Sequence, residues 1–251
     1  MRELKGTVYI VSDCHFGVPS REESAVRETK FIQWLDEVKA NADYVILLGD
    51  IFDFWFEYRH VVPRGHTRLL GKFAELSDRG IKFFFFTGNH DFWIHNYFSE
   101  ELNFEMFRTL QTFIVNGKKV MIGHGDGIGP KDTGYKLMKV VFEARINRWL
   151  YSRLHPNFAF WLAHKVSSRS RIANGTVDEI YLGEEKERLI LFAKTVLEKE
   201  HFDYFIFGHR HLALSVALSA TSTYINTGEW IKSFSYAQTE GAEIVLKYYC
   251  R

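Results

Sequence analysis

Polar residues follow apolar, strand-like runs at five places along the chain, and this recurrence constrains the fold more than any other feature. The five segments are Asp13-Cys14-His15, Gly49-Asp50, Gly88-Asn89-His90-Asp91, Gly123-His124-Gly125-Asp126 and Gly208-His209-Arg210-His211. In layered α/β folds the carboxyl ends of the strands meet in one crevice, where ligands bind. The sequence therefore predicts that these distant segments bring their polar groups to a single site.

Strand-like and helical patterns alternate on both sides of a central interruption. The predicted strands are 7–12, 44–48, 81–86, 112–115, 119–122, 204–207, 222–225 and 243–249, and the predicted helices are 22–40, 66–79, 134–170 and 184–199. Asn116-Gly117 separates two of these strands and is a strong hairpin signal. The alternation predicts an α/β layered fold, which we expect to form one domain over residues 1–251 with a helical insertion at 131–175.

Composition and charge exclude several classes of protein. The net charge is +1, so the whole chain gives no reason to expect a nucleic-acid partner. The two cysteines, Cys14 and Cys250, form no CxxC pair, which fits a reducing compartment. The residues after Met1 lack the apolar run of a signal peptide, and no apolar run is long enough to span a bilayer. We therefore expect a cytoplasmic protein.

The residue types in the five segments suit divalent metal ions. Carboxylate, amide oxygen and imidazole ligands bind Mn, Fe or Zn. A carboxylate can bridge two cations, and such a pair stabilises both the attacking and the leaving oxygen of an in-line displacement. A single Asp or His at a strand end is more often a turn or surface residue. Five such segments, each after an apolar strand, favour a two-metal site instead.

As a set, these segments resemble the signature of the calcineurin-like metallophosphoesterases over nearly the whole chain. The resemblance implies a four-layer α-β-β-α sandwich that hydrolyses phosphoesters or phosphoanhydrides. It also implies that Asp13, His15 and His211 bind a first metal, that Asn89, His124 and His209 bind a second, and that Asp50 bridges the two. By the same resemblance, His90 stabilises the transition state or protonates the leaving group, and Asp91 orients His90, although Asp91 could equally cap a helix.

The insertion at 131–175 is basic and aromatic, with nine basic residues and two acidic ones. One interpretation is an ordinary helical hairpin whose basic face is solvated. Another is a cap over the metal site, in which apolar faces hold acyl chains while Arg and Lys contact phosphates or a membrane surface. Docking of a protein partner or RNA is a third interpretation, because basic content alone does not separate them.

Chain length, Asp50-x-Phe52-Asp53-x-Trp55 and the position of the insertion resemble the UDP-2,3-diacylglucosamine hydrolase family. The resemblance implies a diacylated UDP-sugar substrate, UMP and a lipid monophosphate as products, manganese as the usual metal, and peripheral contact with the inner membrane. The residues that it implies for substrate contacts are Asp132, Tyr135, Arg169 and Arg171. The best-known members carry Arg where this chain has His90, so a metallophosphatase or phosphodiesterase acting on a nucleotide or sugar phosphate stays open.

Overall fold

In the computed structural model of the protein, residues 1–129, 140–142, 144–174 and 180–250 are described, and for 166–174 the backbone alone is described. The strands are β1 Arg2–Leu4, β2 Val8–Val11, β3 Tyr44–Leu47, β4 Lys82–Phe86, β5 Glu105–Phe107, β6 Gln111–Val115, β7 Lys118–Gly123, β8 Tyr204–Phe207, β9 Ala213–Ser219, β10 Ser222–Thr227, β11 Ser235–Glu240 and β12 Glu243–Tyr248. The helices are α1 Arg21–Val38, α2 Thr67–Asp78, α3 Tyr97–Glu101, α4 Arg145–Tyr151, α5 Pro156–Asn174 and α6 Arg188–Leu197.

The strands form two six-stranded sheets, ordered β1-β6-β7-β8-β10-β9 and β12-β11-β2-β3-β4-β5. In the second sheet β2, β3, β4 and β5 are parallel neighbours, so their carboxyl ends lie at one edge. In the first sheet β7, β8 and β10 are likewise parallel neighbours. The five polar segments follow β2, β3, β4, β7 and β8, which is the arrangement that the sequence predicts.

Three apolar clusters separate the layers of the molecule. The central cluster joins residues of the two sheets, with Ile10 and Phe84 on one side and Val120 and Ile206 on the other. A second cluster packs α1 and α2 on the outer face of the second sheet. A third packs α6 on the outer face of the first sheet. The predicted four-layer α-β-β-α order is therefore confirmed, and apolar burial on every sheet face holds it together.

Four strands of the structure were absent from the sequence prediction. They are β1, β5, β9 and β11. The first two have three residues each, which is too short for a two-residue alternation to stand out. The predicted Asn116-Gly117 hairpin is present: β6 pairs antiparallel with β7, and both turn residues have positive φ.

The insertion contains more than one helix, whereas the sequence predicted a single helical segment at 134–170. Helices α4 and α5 are separated at residues 152–155. The chain turns there ahead of Pro156, which can occupy the first turn of a helix but restricts the residue before it. Among the described helices, none combines the length and the apolarity needed to cross a membrane.

Candidate metal centre

Most of the predicted metal ligands lie on sharp turns that follow strands. Asp13, His15, Asp50, His209 and His211 all have φ between 45° and 69°, which is the left-handed region. Residues other than glycine adopt this conformation rarely, and a cluster of such residues is typical of functional sites. These turns are tied to one another, because the backbone N–H groups of Asp13 and His15 donate to the carbonyls of Gly49 and Asp50, both at 3.0 Å.

The first predicted metal site brings together Asp13, His15 and His211. The two imidazole Nε2 atoms of His15 and His211 lie 3.1 Å apart. Asp13 Oδ1 lies 3.3 Å from the His211 nitrogen and 3.8 Å from the His15 nitrogen. The other carboxylate oxygen of Asp13 accepts hydrogen bonds from the hydroxyl of Ser12 and, at 2.9 Å, from the backbone N–H of His209. Oδ1 is thereby left facing the two histidines.

The second predicted site brings together Asp50, His124 and His209, with Asn89 beside them. His124 donates its Nδ1 proton to the Leu48 carbonyl at 2.8 Å, which leaves Nε2 as the nitrogen that can bind a metal. This Nε2 lies 3.4 Å from Asp50 Oδ2 and 3.2 Å from Asn89 Oδ1. Asp50 Oδ2 is also 3.8 Å from His15 Nε2, so this carboxylate stands between the two groups.

Asp53 is a buried residue of the site for which the sequence pattern predicted no role. Its carboxylate lies 3.7 Å from Nδ1 of His15 and 3.6 Å from Nδ1 of His90, and its carbonyl accepts from His90 Nδ1 at 3.0 Å. The signal available in the sequence was an acid three positions after Asp50. Spacing alone does not show that the turn after β3 folds back onto the imidazoles.

The sequence predicts that Asp91 orients His90, but the two side chains form no hydrogen bond with each other. The Asp91 carboxylate instead accepts hydrogen bonds from the backbone N–H groups of Gly88, at 2.7 Å, and Ile51, at 2.9 Å. Asp91 is fully buried and joins the turn after β4 to the turn after β3. It does not cap a helix either, since α3 begins at Tyr97.

Electrostatics in the site are dominated by buried carboxylates. Burial alone would lower the pKa of His15, but the Asp13 and Asp53 carboxylates raise it to about 10. His124 behaves alike, since Asp50 overcomes burial and raises its pKa to about 10. For Asp91, burial and the neighbouring charge of Asp50 raise the pKa to about 7. Positive charge is therefore favourable in the site. A divalent cation would supply that charge and would displace the protons from the imidazoles.

Gly88 and Gly208 allow the turns of the site to pack closely against one another. A Cβ on Gly88 would lie 2.2 Å from Asp50 Oδ1, and one on Gly208 would lie 2.6 Å from Asp13 Oδ2. Neither distance is compatible with a real side chain. The glycines of the recurring segments therefore allow one ligand-bearing turn to pass directly against the carboxylate of another.

The donor set fits divalent metal ions. Asp13 Oδ1 and His15 Nδ1 are buried and, within the described part of the chain, make no hydrogen bond. Buried polar atoms in native proteins are nearly always satisfied, so an atom such as Asp13 Oδ1 calls for a partner that is not a protein group. Oxygen and imidazole ligands in this number match Mn, Fe or Zn.

Predicted substrate contacts lie mostly beyond what the structure describes. Asp132 and Tyr135 fall outside the described residues. Arg169 and Arg171 belong to the backbone of α5, but their side chains are not described. These four stay predictions.

Comparison with known proteins gives consistent matches. The family model for calcineurin-like phosphoesterases matches residues 6–213. A UDP-2,3-diacylglucosamine hydrolase from Porphyromonas gingivalis is 36% identical over 256 residues, which covers 97% of this chain and 98% of that protein. A protein of the same name from Histophilus somni is 25% identical over 80% of this chain and 83% of its own length. Among solved structures, TT1561 of Thermus thermophilus has a TM-score of 0.47 at 10% identity, covering 97% of this chain and 98% of that one.

Proposed function

The chain belongs to the calcineurin-like phosphoesterase family, and we propose that it hydrolyses the phosphoanhydride of UDP-2,3-diacylglucosamine to UMP and a lipid monophosphate. Family membership makes the chain a hydrolase that uses divalent metal ions. The observation that carries the choice of substrate is the 36% identity, over 97% of the chain, to a relative of that name. The exposed apolar surface beside the site gives independent support.

In this proposal Asp13, His15 and His211 would hold one cation, and Asn89, His124 and His209 would hold the other. Asp50, which lies between the two groups, would serve both. We take manganese as the usual metal, with iron or zinc as substitutes. When bound, the two cations supply positive charge for the phosphate oxygens and a water of lowered pKa. Water adds across the P–O–P bridge: its oxygen joins one phosphorus, and the bridging oxygen leaves on the other.

His90 is the acid–base or charge-stabilising residue of the proposal. Its Nδ1 donates to the Asp53 carbonyl at 3.0 Å, which fixes the ring and leaves Nε2 as the nitrogen for substrate. Burial lowers the pKa of the His90 imidazole, and the Asp50 and Asp53 carboxylates oppose that shift. Asp91 positions His90 indirectly in this proposal, because its carboxylate joins the turn that carries His90 to the turn that carries Asp50.

Helices α4 and α5, the described helices of the insertion at 131–175, form a cap for the acyl chains in this proposal. Trp149 and Trp161, on α4 and α5, are 51% and 54% exposed. Basic side chains lie over both rings, with Arg153 4.9 Å from the Trp149 centroid and Lys165 4.8 Å from that of Trp161. Exposed aromatics bordered by cations suit a lipid with a phosphorylated head. The protein would then act in the cytoplasm, at the cytoplasmic face of the inner membrane.

Cap and metal centre are in contact. His164 Nδ1 of α5 lies 3.8 Å from Asp53 Oδ2. Phe54, the residue after Asp53, packs against Phe160 and Tyr151 with centroid distances of 5.1 and 6.1 Å. An acyl chain held by the cap would therefore lie close to the turn that orients His90.

The test is UMP release from UDP-2,3-diacylglucosamine by the purified protein with manganese, measured beside hydrolysis of an aryl phosphate ester. We expect fast turnover of the glycolipid and slow turnover of the aryl ester. Trp149→Ala and Trp161→Ala should raise the KM for the glycolipid, while Tyr248→Ala, which removes an exposed ring on β12, should not. Turnover of the aryl ester alone would discard the glycolipid and favour another phosphoester.

A further inference from the structure

A cleft of about 230 Å³ opens beside His124. Its walls include Phe86, Thr87, Arg108, Thr109, Asp126 and Ile128. These residues follow or end β4, β5 and β7, so the cleft lies at the same edge of the sheets as the metal centre. We call it the side cleft.

Different residues connect Asp50 to the side cleft and to the cap. One oxygen of Asp50 lies 3.4 Å from His124, which borders the side cleft, and 3.8 Å from His15. On the His15 side, Asp53 contacts His164 of the cap. A phosphoanhydride held at Asp50 would therefore lie within reach of both the apolar cap and the side cleft.

The chemistry of the side cleft suits a nucleoside monophosphate, and we propose that it binds the nucleotide half of the substrate and the nucleotide product. This inference rests on the proposed function, which makes that half a uridine nucleotide. Arg108 brings a positive charge to the wall of the side cleft, and guanidinium is the side-chain group best matched to phosphate. Asp126 can accept from ribose hydroxyls. Ile128 offers an apolar wall to a flat base.

Arg108 is held in place for this task. Its guanidinium donates to the carbonyls of Phe92, at 3.0 Å, and Ile94. These carbonyls belong to the loop that follows His90. Because both terminal nitrogens of the guanidinium already donate to these carbonyls, the group is fixed before a ligand arrives and loses little conformational entropy on contacting it.

The size of the side cleft also discriminates between the two halves of the substrate. Pockets for drug-sized ligands span roughly 300–1,000 Å³. At about 230 Å³ the side cleft matches one small polar moiety and is too small for a diacylated sugar. The two halves would be sorted by polarity, with acyl chains on the exposed aromatic surface and the nucleoside in the side cleft.

The experiment measures inhibition of aryl ester hydrolysis by UMP, uridine and inorganic phosphate. For the wild-type protein UMP should inhibit at least tenfold more strongly than phosphate. Thr109→Trp, which places a large ring in the cleft at an exposed position, should raise the inhibition constant of UMP at least tenfold and leave that of phosphate within twofold. Arg108→Met should weaken UMP while leaving uridine unchanged. Thr221→Trp, at the exposed turn before β10, is the matched control and should change none of these.

Two results would overturn the proposal. In the first, UMP inhibits no more strongly than phosphate. In the second, Thr109→Trp leaves the inhibition constant of UMP unchanged. Failure of the proposed function looks different. If UDP-2,3-diacylglucosamine is not hydrolysed but UMP inhibition still depends on Thr109, the side cleft binds nucleotides and only the glycolipid assignment falls. If the glycolipid is hydrolysed but Thr109→Trp does not change the inhibition constant of UMP, the proposed hydrolase activity is supported and the side cleft does not bind the nucleotide.

Discussion

Asp53 contacts His90 through two different groups: its backbone carbonyl lies 3.0 Å from Nδ1 of His90 and its carboxylate Oδ1 lies 3.6 Å from the same nitrogen. The carbonyl fixes the direction of the ring, and the carboxylate opposes the effect of burial, which lowers the pKa of His90. Asp53 therefore takes the orienting position that the sequence analysis gave to Asp91.

Asp53→Asn separates these two contributions. Asparagine keeps the backbone carbonyl and the shape of the side chain but removes its charge, so we expect kcat to fall by roughly 10²-fold. The double variant Asp53→Asn/His90→Ala should be no slower than His90→Ala alone, because the two residues act as one unit. Asp78→Asn, at the exposed end of α2, is the control. Additive losses in the double variant would show that Asp53 acts independently of His90.

His90→Ala tests the role of the imidazole itself. None of the predicted metal ligands is removed, so metal content per chain should stay at the wild-type value. Turnover should fall roughly 10²–10⁴-fold, the range for loss of an acid–base or charge-stabilising group. Asp50→Ala should lower both quantities, since it removes the carboxylate between the two groups. Metal analysis beside steady-state kinetics distinguishes the two variants, and full activity in Asp50→Ala would contradict the two-metal proposal.

The features that could be predicted from the sequence are those that a local pattern of residues specifies. Each short apolar run followed by Gly, Asp or His gave both a strand and the edge at which it ends, and parallel strands then bring those ends together. His124 and Asp50 are 74 positions apart in the sequence and lie 3.4 Å apart in the structure. The hairpin at Asn116-Gly117 was equally local, because its turn needs two residues that tolerate positive φ.

The features that escaped prediction depend on tertiary contacts. Asp53 and Asp91 are both acids within turns, and only the fold decides that Asp53 faces His90 while Asp91 accepts backbone N–H groups. Strand β5 has three residues and exists because β4 pairs with it. Periodicity cannot reveal such an element, since its stability comes from its neighbour.

Gly88→Ala should damage the metal centre while Gly71→Ala should not. A Cβ at Gly88 would lie 2.2 Å from Asp50 Oδ1 and 2.6 Å from the Asp50 backbone nitrogen, so the carboxylate must move. We expect loss of metal affinity and turnover. Gly71 lies in α2, where an added methyl group would meet open space, and alanine there should raise the free energy of unfolding by roughly 0.4–1 kcal/mol. Metal titration and urea unfolding of both variants test this contrast.

His95 should make stability depend on pH. Burial and the charges of Arg148 and Arg108 lower its pKa from 6.5 to about 4. At pH values between these two pKa values, the unfolded chain binds more protons at His95 than the folded chain does. The contribution of His95 to the free energy of unfolding is therefore fully present above the pKa of the unfolded state. It is lost as the pH falls toward the pKa of the folded state. Relative to His95→Gln, the wild-type protein should lose stability as pH is lowered from about 7 to about 5. Urea unfolding at each pH gives the difference, and a constant difference would contradict the shift.

Glu187 and Arg210 form a largely buried ion pair, and its loss should cost stability. Both Glu187 oxygens accept from Arg210 at 3.0 Å, and the Glu187 side chain is 4% exposed. Removing one partner leaves a buried charge, so Glu187→Ala should lower the free energy of unfolding by about 3–5 kcal/mol. Arg210 stands between His209 and His211, so metal affinity should fall as well.

Glu184→Ala is the matched control for this variant. Glu184 pairs with Lys194 at 2.8 Å, but both side chains are 42% exposed. Exposed pairs contribute about 0–1 kcal/mol because water screens them, so this variant should stay close to wild type. Thermal unfolding should separate the two by roughly 10 °C. Equal melting temperatures would mean that the Glu187–Arg210 pair does not hold the Gly-His-Arg-His turn against α6.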